Sequence, residues 1–170
     1  MKKILYVIFM IFILCGCNNN DSISDEKMQK YNEYKTVLVN NGSNVSYDIP
    51  FSYALNIEKV KDGYSYTLVI NEPLMVMNNI QVMALNNTDS NSDMTLNCGI
   101  IDDEVINMIP NQKDESKGYP SGIALNGISE TGDFTLYCLV NYYNEDNTAS
   151  SRKFFSFIIE NGKIVGENNE

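Results

Sequence analysis

The sequence contains no histidine and no tryptophan, and only four of its 170 residues are cysteine. Without an imidazole, neither a Ser-His-Asp triad nor a Cys-His pair can take and return a proton near neutral pH. Histidine-ligated zinc is excluded for the same reason. A carboxylate pair, a Ser-Lys dyad or a calcium site with oxygen ligands would remain, but none has a clear signature. We therefore expect no enzyme, no metal and no cofactor.

Basic residues are also scarce, with 12 Lys and Arg against 22 Asp and Glu, for a net charge of −10. Nucleic acid and anionic lipid headgroups repel such a charge, so neither is expected as a partner. The acidic residues are spread along the chain, which is typical of a solvated surface. Asparagine and isoleucine are abundant and eleven of the twelve basic residues are lysine, a composition that is typical of proteins from AT-rich genomes and indicates a low-GC Gram-positive source.

The first seventeen residues have the pattern of an export signal. Lys2 and Lys3 precede an apolar run from Ile4 to Leu14, which ends in Leu14-Cys15-Gly16-Cys17. A positive start, a short apolar segment and a small residue before the cleavage point are typical of a secretory signal. The run of about eleven residues is shorter than the roughly twenty that a membrane-spanning helix needs.

The segment resembles the bacterial lipoprotein signal, with Leu14 at −3, Gly16 at −1 and Cys17 as the lipid-bearing residue at +1. Cys15 at −2 departs from the commoner Ala or Ser. The resemblance implies a signal peptide over 1–16 and a protein held by acyl chains on the extracytoplasmic face of the cell membrane. The alternatives are an ordinary signal cleaved elsewhere and a single membrane anchor. Cleavage before Cys17 leaves a net charge of −12 and three cysteines, too few for a four-cysteine zinc site.

A tether over 17–24 and an arm over 25–40 are expected to follow. Met28, Tyr31, Tyr34 (or Lys35) and Leu38 recur at three- and four-residue spacing, which suits one face of a helix. Ser24 is a candidate N-cap. The arm is therefore predicted to be a short helix or an extended segment packed on the domain. An interfacial membrane helix is the alternative, although the segment lacks a strongly basic face.

The hydrophobic period then shortens to two, which indicates strands. Lys61-Asp62-Gly63 predicts a hairpin within 51–71, since Asp-Gly is a strong turn signal. Further strands are predicted at 80–85, 94–101, 122–128, 134–143 and 151–159. About seven strands and little helix favour an antiparallel β-sandwich of the immunoglobulin or fibronectin type III sort over 41–165, with a polar tail over 166–170. A small barrel is the alternative.

From Tyr31 onward the chain resembles small uncharacterised lipoproteins of low-GC Gram-positive bacteria. The features that carry the resemblance are a Tyr-rich arm, Gly63-Tyr64-Ser65-Tyr66, a strand that begins at Gly122 and a strand that ends in Tyr142-Tyr143. The resemblance implies no activity. The tryptophan and the paired-cysteine pattern of antibody domains are not reproduced.

Cys98 and Cys138 both lie in predicted strands, and two interpretations remain open. Export favours an inter-sheet disulfide that closes a loop of about 40 residues, which would contribute roughly 3 to 4 kcal/mol. The alternative is a pair of buried thiols that pack as small apolar groups. A redox role is disfavoured because Asp102, Asp103 and Glu104 would raise the pKa of the Cys98 thiol.

The acidic segment Asp89-Ser90-Asn91-Ser92-Asp93 begins like an EF-hand calcium loop. Met94 stands where that loop needs glycine, and Ile100 stands where it needs glutamate. We therefore interpret the segment as a solvated loop and expect no metal site.

Two functions remain after these exclusions. The first is a non-catalytic lipoprotein module that binds an envelope protein, a peptide or a glycan. Its candidate surface is an exposed tyrosine patch of Tyr31, Tyr34, Tyr64 and Tyr66, because tyrosine favours interfaces. The second is a cell-wall glycan hydrolase that works through two carboxylates across a groove.

Overall fold

The computed structural model describes residues 23–88, 95–102, 104–112 and 119–168, and of Asn168 the backbone alone. In this part of the chain one helix precedes eight strands. The helix is α1, Asp25–Asn41. The strands are β1 Ser52–Val60, β2 Gly63–Asn71, β3 Asn78–Asn86, β4 Leu96–Cys98, β5 Gly122–Ser129, β6 Phe134–Tyr143, β7 Ser150–Glu160 and β8 Lys163–Asn168.

The strands form two antiparallel sheets, one with the order β1-β2-β5 and the other with the order β4-β3-β6-β7-β8. In the constant-type immunoglobulin sandwich, strands A, B and E share one sheet and strands C, F and G share the other. β1-β2-β5 takes the place of A-B-E, and β3-β6-β7 takes the place of C-F-G. The predicted immunoglobulin-like sandwich is confirmed, and the two separate sheets exclude the closed barrel.

Strand β8 was not predicted, and it corrects the polar tail assigned to 166–170. Residues 163–168 pair with β7, with Ile164 opposite Ile159. Asn161 and Gly162 connect the two strands with φ of 52° and 71°. Two residues with positive φ are typical of a type I′ hairpin turn, for which Asn-Gly is the strongest sequence signal. Asn161-Gly162 is therefore a sequence signal for β8, although the predicted strands ended at residue 159.

The strand predicted over 94–101 is also largely wrong, because β4 has three residues. At Gly99 the backbone has φ of 70°, and the Gly99 N–H donates to Asp102 Oδ2 at 3.0 Å. The chain therefore turns away from β3 directly after Cys98. Farther along, the Ile80 N–H donates to the carbonyl of Ile106 at 2.8 Å, which brings the chain back to the same side of β3.

The main core lies between the two sheets and is formed mainly by alternate residues of β1, β2, β3, β5, β6 and β7. From the small sheet, Leu55, Leu68 and Leu125 face inward; from the large sheet, Leu136 and Val140 of β6 face them. Aromatic rings of β1 and β7 add to this core: Tyr53 stacks on Phe155 with ring centroids 4.1 Å apart. Burial of such side chains contributes roughly 1.5–3 kcal/mol each.

Helix α1 covers the outer face of the large sheet, which confirms the helical interpretation of the arm. Ser24 is the N-cap, and its hydroxyl accepts from the Lys27 N–H at 3.4 Å. Tyr31, Tyr34 and Leu38 form one buried stripe on the helix. They form a second core with Met83 of β3, Leu139 of β6 and Ile100 of the segment after β4. No helix in the described ranges is long and apolar enough to cross a membrane.

Gly63 is a sensitive position of the fold, and we expect Gly63→Ala to destabilise the protein by about 2 kcal/mol or more. Its φ is 145°, and a Cβ there would overlap the carbonyl oxygen of Ser129 on β5. Gly166 is the matched control, because a Cβ there would lie 3.5 Å from the nearest atom of Ile158. Gly166→Ala should be neutral or slightly stabilising. Urea unfolding checks this, and equal midpoints for the two variants would contradict it.

Candidate functional site

The four tyrosines proposed as an exposed patch do not form one. Tyr31 and Tyr34 are buried under α1, at 1% and 6% exposure, while Tyr66 lies between the sheets at 4%. Tyr64 is half-buried and packs against Gly132 and Gly162. The predicted binding surface is therefore wrong, because helical spacing directs Tyr31 and Tyr34 into one core and strand alternation directs Tyr66 into the other.

The hydroxyl groups of Tyr31 and Tyr34 are hydrogen-bonded to residues that lie between the helix and the sheet. The Tyr31 hydroxyl lies 2.9 Å from Thr95 Oγ1, and it also accepts from the Thr95 N–H. The Tyr34 hydroxyl donates to Gln81 Oε1 at 2.9 Å, and Asn141 Nδ2 donates to the same oxygen at 2.6 Å. Buried polar groups need such partners, so these tyrosines act as polar links between helix and sheet.

Arg152 of β7 contacts Tyr34 and α1 from the solvent side. Its guanidinium lies 5.5 Å from the centre of the Tyr34 ring, and it pairs with Glu33 of α1 at 3.1 Å. Burial raises the pKa of Tyr34, and the positive charge of Arg152 partly opposes that rise. Because Arg152 and Glu33 are both exposed, the ion pair itself contributes little.

Cys98 and Cys138 are free thiols, and strand order excludes the inter-sheet disulfide. Both lie in the large sheet, on the two strands that flank β3: Cys98 is opposite Val82, and Cys138 is opposite Ala84. Strands on either side of a third are roughly 9.5 Å apart, whereas a disulfide needs Cα atoms within about 7 Å. The buried-thiol interpretation fits Cys138, which is fully buried, while Cys98 is half-buried.

Neither thiol has the properties of a nucleophile. Burial, followed by the charges of Asp102 and Glu104, raises the pKa of Cys98 from 9.0 to about 11. Burial alone raises the pKa of Cys138 still further. Reactive cysteines instead have lowered pKa values near positive charge. The sequence-based argument against a redox role for Cys98 therefore agrees with its surroundings.

A groove of about 630 Å³ lies at one end of the sandwich, and we call it the end groove. It lies between the β2–β3 connection and the segment that leads into β5. Its lining residues are Asn71, Glu72, Pro73, Leu74, Ile109, Pro110, Asn111, Gln112, Pro120 and Ser121. Antiparallel pairing of Asn71 with Gly122 brings them together.

Backbone contacts hold the walls of the end groove. The Leu74 N–H donates to the Pro50 carbonyl at 2.8 Å, and the Gln112 N–H donates to the Ile109 carbonyl at 3.1 Å. Glu72 has φ of 48°, a left-handed conformation that is uncommon outside glycine, asparagine and aspartate. Its carboxylate accepts from the Ser52 hydroxyl at 3.1 Å. These hydrogen bonds fix residues 72–74 and 109–112 of the groove wall.

A second groove of about 470 Å³, the side groove, lies between the edges of the two sheets. It is lined by Cys98, Glu104, Val105, Ile106, Pro120, Gly122, Ile123 and Ala124. Among the described residues that line it, Glu104 and the Cys98 thiol are the ionisable groups. Its surface is otherwise apolar, so it offers few groups that could orient a polar ligand.

Some sequence predictions lie outside the described residues. They are the lipid-bearing Cys17, the acidic segment 89–93 and Asp103. Within the described ranges, no group of three or more His, Cys, Asp or Glu side chains could hold a metal ion.

We expect substitution of the helix tyrosines to lower stability. Tyr31→Ala should cost about 3–5 kcal/mol because it removes a buried ring, and Tyr34→Phe about 0.5–1.5 kcal/mol because it removes one hydrogen bond. Tyr47→Ala is the control, since that ring is 73% exposed, and should change stability by less than about 0.5 kcal/mol. Urea unfolding measures all three. A Tyr31→Ala midpoint equal to that of Tyr47→Ala would contradict the buried role.

Alkylation of Cys98 should be slow in the folded chain and should accelerate as the pH rises through about 11, the raised pKa. At pH 8 we expect a rate roughly tenfold or more below that of the urea-unfolded chain, because the thiolate is the reacting form. The stability that accompanies this raised pKa is fully present below pH 9.0 and is lost as the pH rises through about 11. Iodoacetamide labelling with peptide mapping measures the rate. A Cys98–Cys138 cross-linked peptide in the unreduced digest would refute the free-thiol assignment.

Comparisons with known proteins identify no relative of this chain. No protein-family model, no curated protein and no solved structure matches the chain. The grooves and the sequence at the beginning of the chain therefore carry the functional argument.

Proposed function

We propose that this protein is an exported lipoprotein, anchored to the extracytoplasmic face of the cell membrane through Cys17, whose β-sandwich is a non-catalytic binding module. The observation that carries the proposal is the Leu14-Cys15-Gly16-Cys17 sequence directly after the apolar run from Ile4 to Leu14. Two or more acyl chains suffice for stable membrane attachment, since each buried CH₂ contributes about 0.8 kcal/mol.

The position of α1 is compatible with such a tether. Asp25, the first residue of the helix, follows Cys17 by eight residues, which span at most about 28 Å when extended. Lys30 Nζ donates to the Gly99 carbonyl at 3.2 Å, so the first half of α1 is bonded to the segment after β4. A pull on the chain from the membrane would therefore act on a helix already packed on the large sheet.

The binding role is supported by the place of the end groove in the fold. In immunoglobulin variable domains the B–C and F–G loops lie at the ligand-binding end. The corresponding connections here are β2–β3 and β6–β7, and Asn78 Nδ2 joins them by donating to the Asn144 and Glu145 carbonyls at 3.2 Å. The comparison with variable domains concerns position alone. The end groove lies at the same end of the sandwich and supplies a concave surface there.

The alternative, a glycan hydrolase, receives less support from the grooves. Paired-carboxylate hydrolysis needs two carboxyl groups about 5–9.5 Å apart across the substrate. Among the described lining residues the end groove has one carboxylate, Glu72, and the side groove has one, Glu104. The proposed module therefore binds without cleaving.

Replacement of Cys17 tests the anchor. We expect Cys17→Ala to abolish incorporation of a labelled fatty acid and to prevent normal maturation, because the acylated sulfur is gone. Cys15→Ala is the matched control: it places the commoner residue at −2 and should leave acylation intact. Intact-mass analysis of the membrane fraction measures both. Normal mature mass and full fatty-acid label in Cys17→Ala would disprove the proposed anchor.

A further inference from the structure

The two sheets of the sandwich differ in what lies on their outer faces. Helix α1 covers the outer face of the large sheet, whereas the outward side chains of β1, β2 and β5 are exposed or partly exposed. We infer that the outer face of the small sheet binds a second copy of this chain and forms a two-fold dimer. The inference goes beyond the proposed function, because it assigns a partner to a surface that the binding proposal does not use.

Charged residues are scarce on this face. Every residue of β1, β2 and β5 is described, and Glu58 is the one charged residue at their outward positions. A soluble surface is expected to carry roughly 25–35% charged residues, whereas the centres of protein interfaces are depleted of them. Two chains that each carry a net charge of −12 after signal removal repel one another. A face with almost no charge is therefore a surface on which two copies can meet.

The register of the small sheet makes its outer face self-complementary. Antiparallel pairing places Ala54, Val69 and Ala124 side by side in one row across the three strands. A two-fold axis that runs along β2 sets β1 of one copy against β5 of the other. Ala54 then lies against Ala124 of the second copy, and the two Val69 side chains meet at the axis. Such small side chains allow two sheets to stack at the usual distance of about 10 Å.

The next row supplies matching polar groups. It consists of Asn56, Thr67 and Asn126, and the same axis sets Asn56 against Asn126 of the second copy. An amide both donates and accepts, so two amides can satisfy each other across the interface. The Thr67 hydroxyl donates to Asn126 Oδ1 at 2.8 Å, which orients this amide in each copy.

The one charge on the face does not oppose its own copy. In the row of Glu58, Ser65 and Ile128, the axis sets Glu58 against Ile128 of the second copy. Because β1 and β5 are the outer strands of the sheet, the two Glu58 carboxylates lie at opposite rims, where water can solvate them. Ile128 is 64% exposed in the single chain and would be covered in the dimer.

The size of the face indicates a weak dimer. Three strands about 4.8 Å apart, each about 30 Å long, give roughly 400 Å² of flat area on each copy. Stable interfaces bury roughly 1,200–2,000 Å² in total, so the pair should be short-lived in free solution. Anchoring in one membrane would raise the effective concentration of each copy for the other. This step depends on the proposed anchor.

The direction of the axis suits anchoring in one membrane. If the axis is perpendicular to the membrane, symmetry places the two Cys17 residues at the same height. Each α1 begins eight residues after Cys17 and lies on the outside of the dimer, away from the interface. Both tethers are then unobstructed by the partner copy.

Cross-linking of the acylated full chain in phosphatidylcholine–phosphatidylglycerol vesicles tests the dimer. Thr67→Cys places a thiol at the axis, so a short bis-maleimide should join two copies. Asn32→Cys is the matched control, because Asn32 is an exposed polar residue of α1 on the opposite side of the domain. We expect at least about fivefold more cross-linked dimer from Thr67→Cys, since random collisions would join both variants alike. The parent chain, with half-buried Cys98, gives the background.

Two further changes in the Thr67→Cys chain test the direction of the axis. Val69→Lys sets two lysines against each other and should reduce the dimer to the level of Asn32→Cys. Ile128→Lys sets a lysine against Glu58 of the second copy and should increase the dimer, because the charges are opposite. Unfolding midpoints close to that of the parent confirm that each variant folds.

Equal yields from Thr67→Cys and Asn32→Cys would overturn the inference, as would undiminished cross-linking of the Val69→Lys chain. A fall in yield with Ile128→Lys would contradict the axis along β2. Absence of the dimer with normal acylation of Cys17 would leave the proposed anchor standing. Cross-linking at Thr67→Cys in a chain without acylation would leave the dimer standing.

Discussion

Strand β6 is buried on both faces, and the rest of the structure depends on that double burial. Leu136, Cys138 and Val140 face the small sheet, and Leu139 faces α1. A sandwich needs only one apolar face per sheet, so the apolar outer face of the large sheet would be exposed without the helix. Helix α1 is therefore a third layer of the fold, and the chain from its N-cap onward belongs to the folded unit.

The polar contacts beneath α1 determine where the helix sits. Burial of apolar side chains is non-directional, so by itself it would allow the helix to shift along the sheet. The hydrogen bonds among Tyr34, Gln81 and Asn141 require specific distances and angles, and they hold the helix in one position. Gln81 and Asn141 are 2% and 3% exposed, so losing their partners would leave buried polar groups unsatisfied. Tyr31 and Tyr34 therefore hold the helix on the sheet. Under the proposed binding function, recognition would therefore depend on the loops.

Much of the fold could be predicted from hydrophobic period, because strands such as β2 alternate between buried and more exposed residues and several turns carry typical turn residues. Strand β6 was predicted with its observed bounds, and the 51–71 hairpin follows from Lys61-Asp62-Gly63. Strand order was not accessible, since it depends on pairings between distant segments. The disulfide prediction failed for that reason: spacing cannot tell that β3 separates Cys98 from Cys138. The end groove was missed likewise, because its walls come from three separated segments that only the antiparallel pairing brings together.

The proposed anchor has a consequence for how a binding module would act. Among the described lining residues of the end groove there is no aromatic ring, so one site would bind its ligand with modest affinity. Hydrogen bonds to amides contribute little each, because the ligand gives up equivalent bonds to water. Anchoring through Cys17 would compensate by multivalency, because many copies in one membrane facing a ligand with repeated binding sites gain effective concentration without new contacts. Modest affinity per site is then sufficient, and release of the soluble form from the membrane would abolish attachment even with every groove intact.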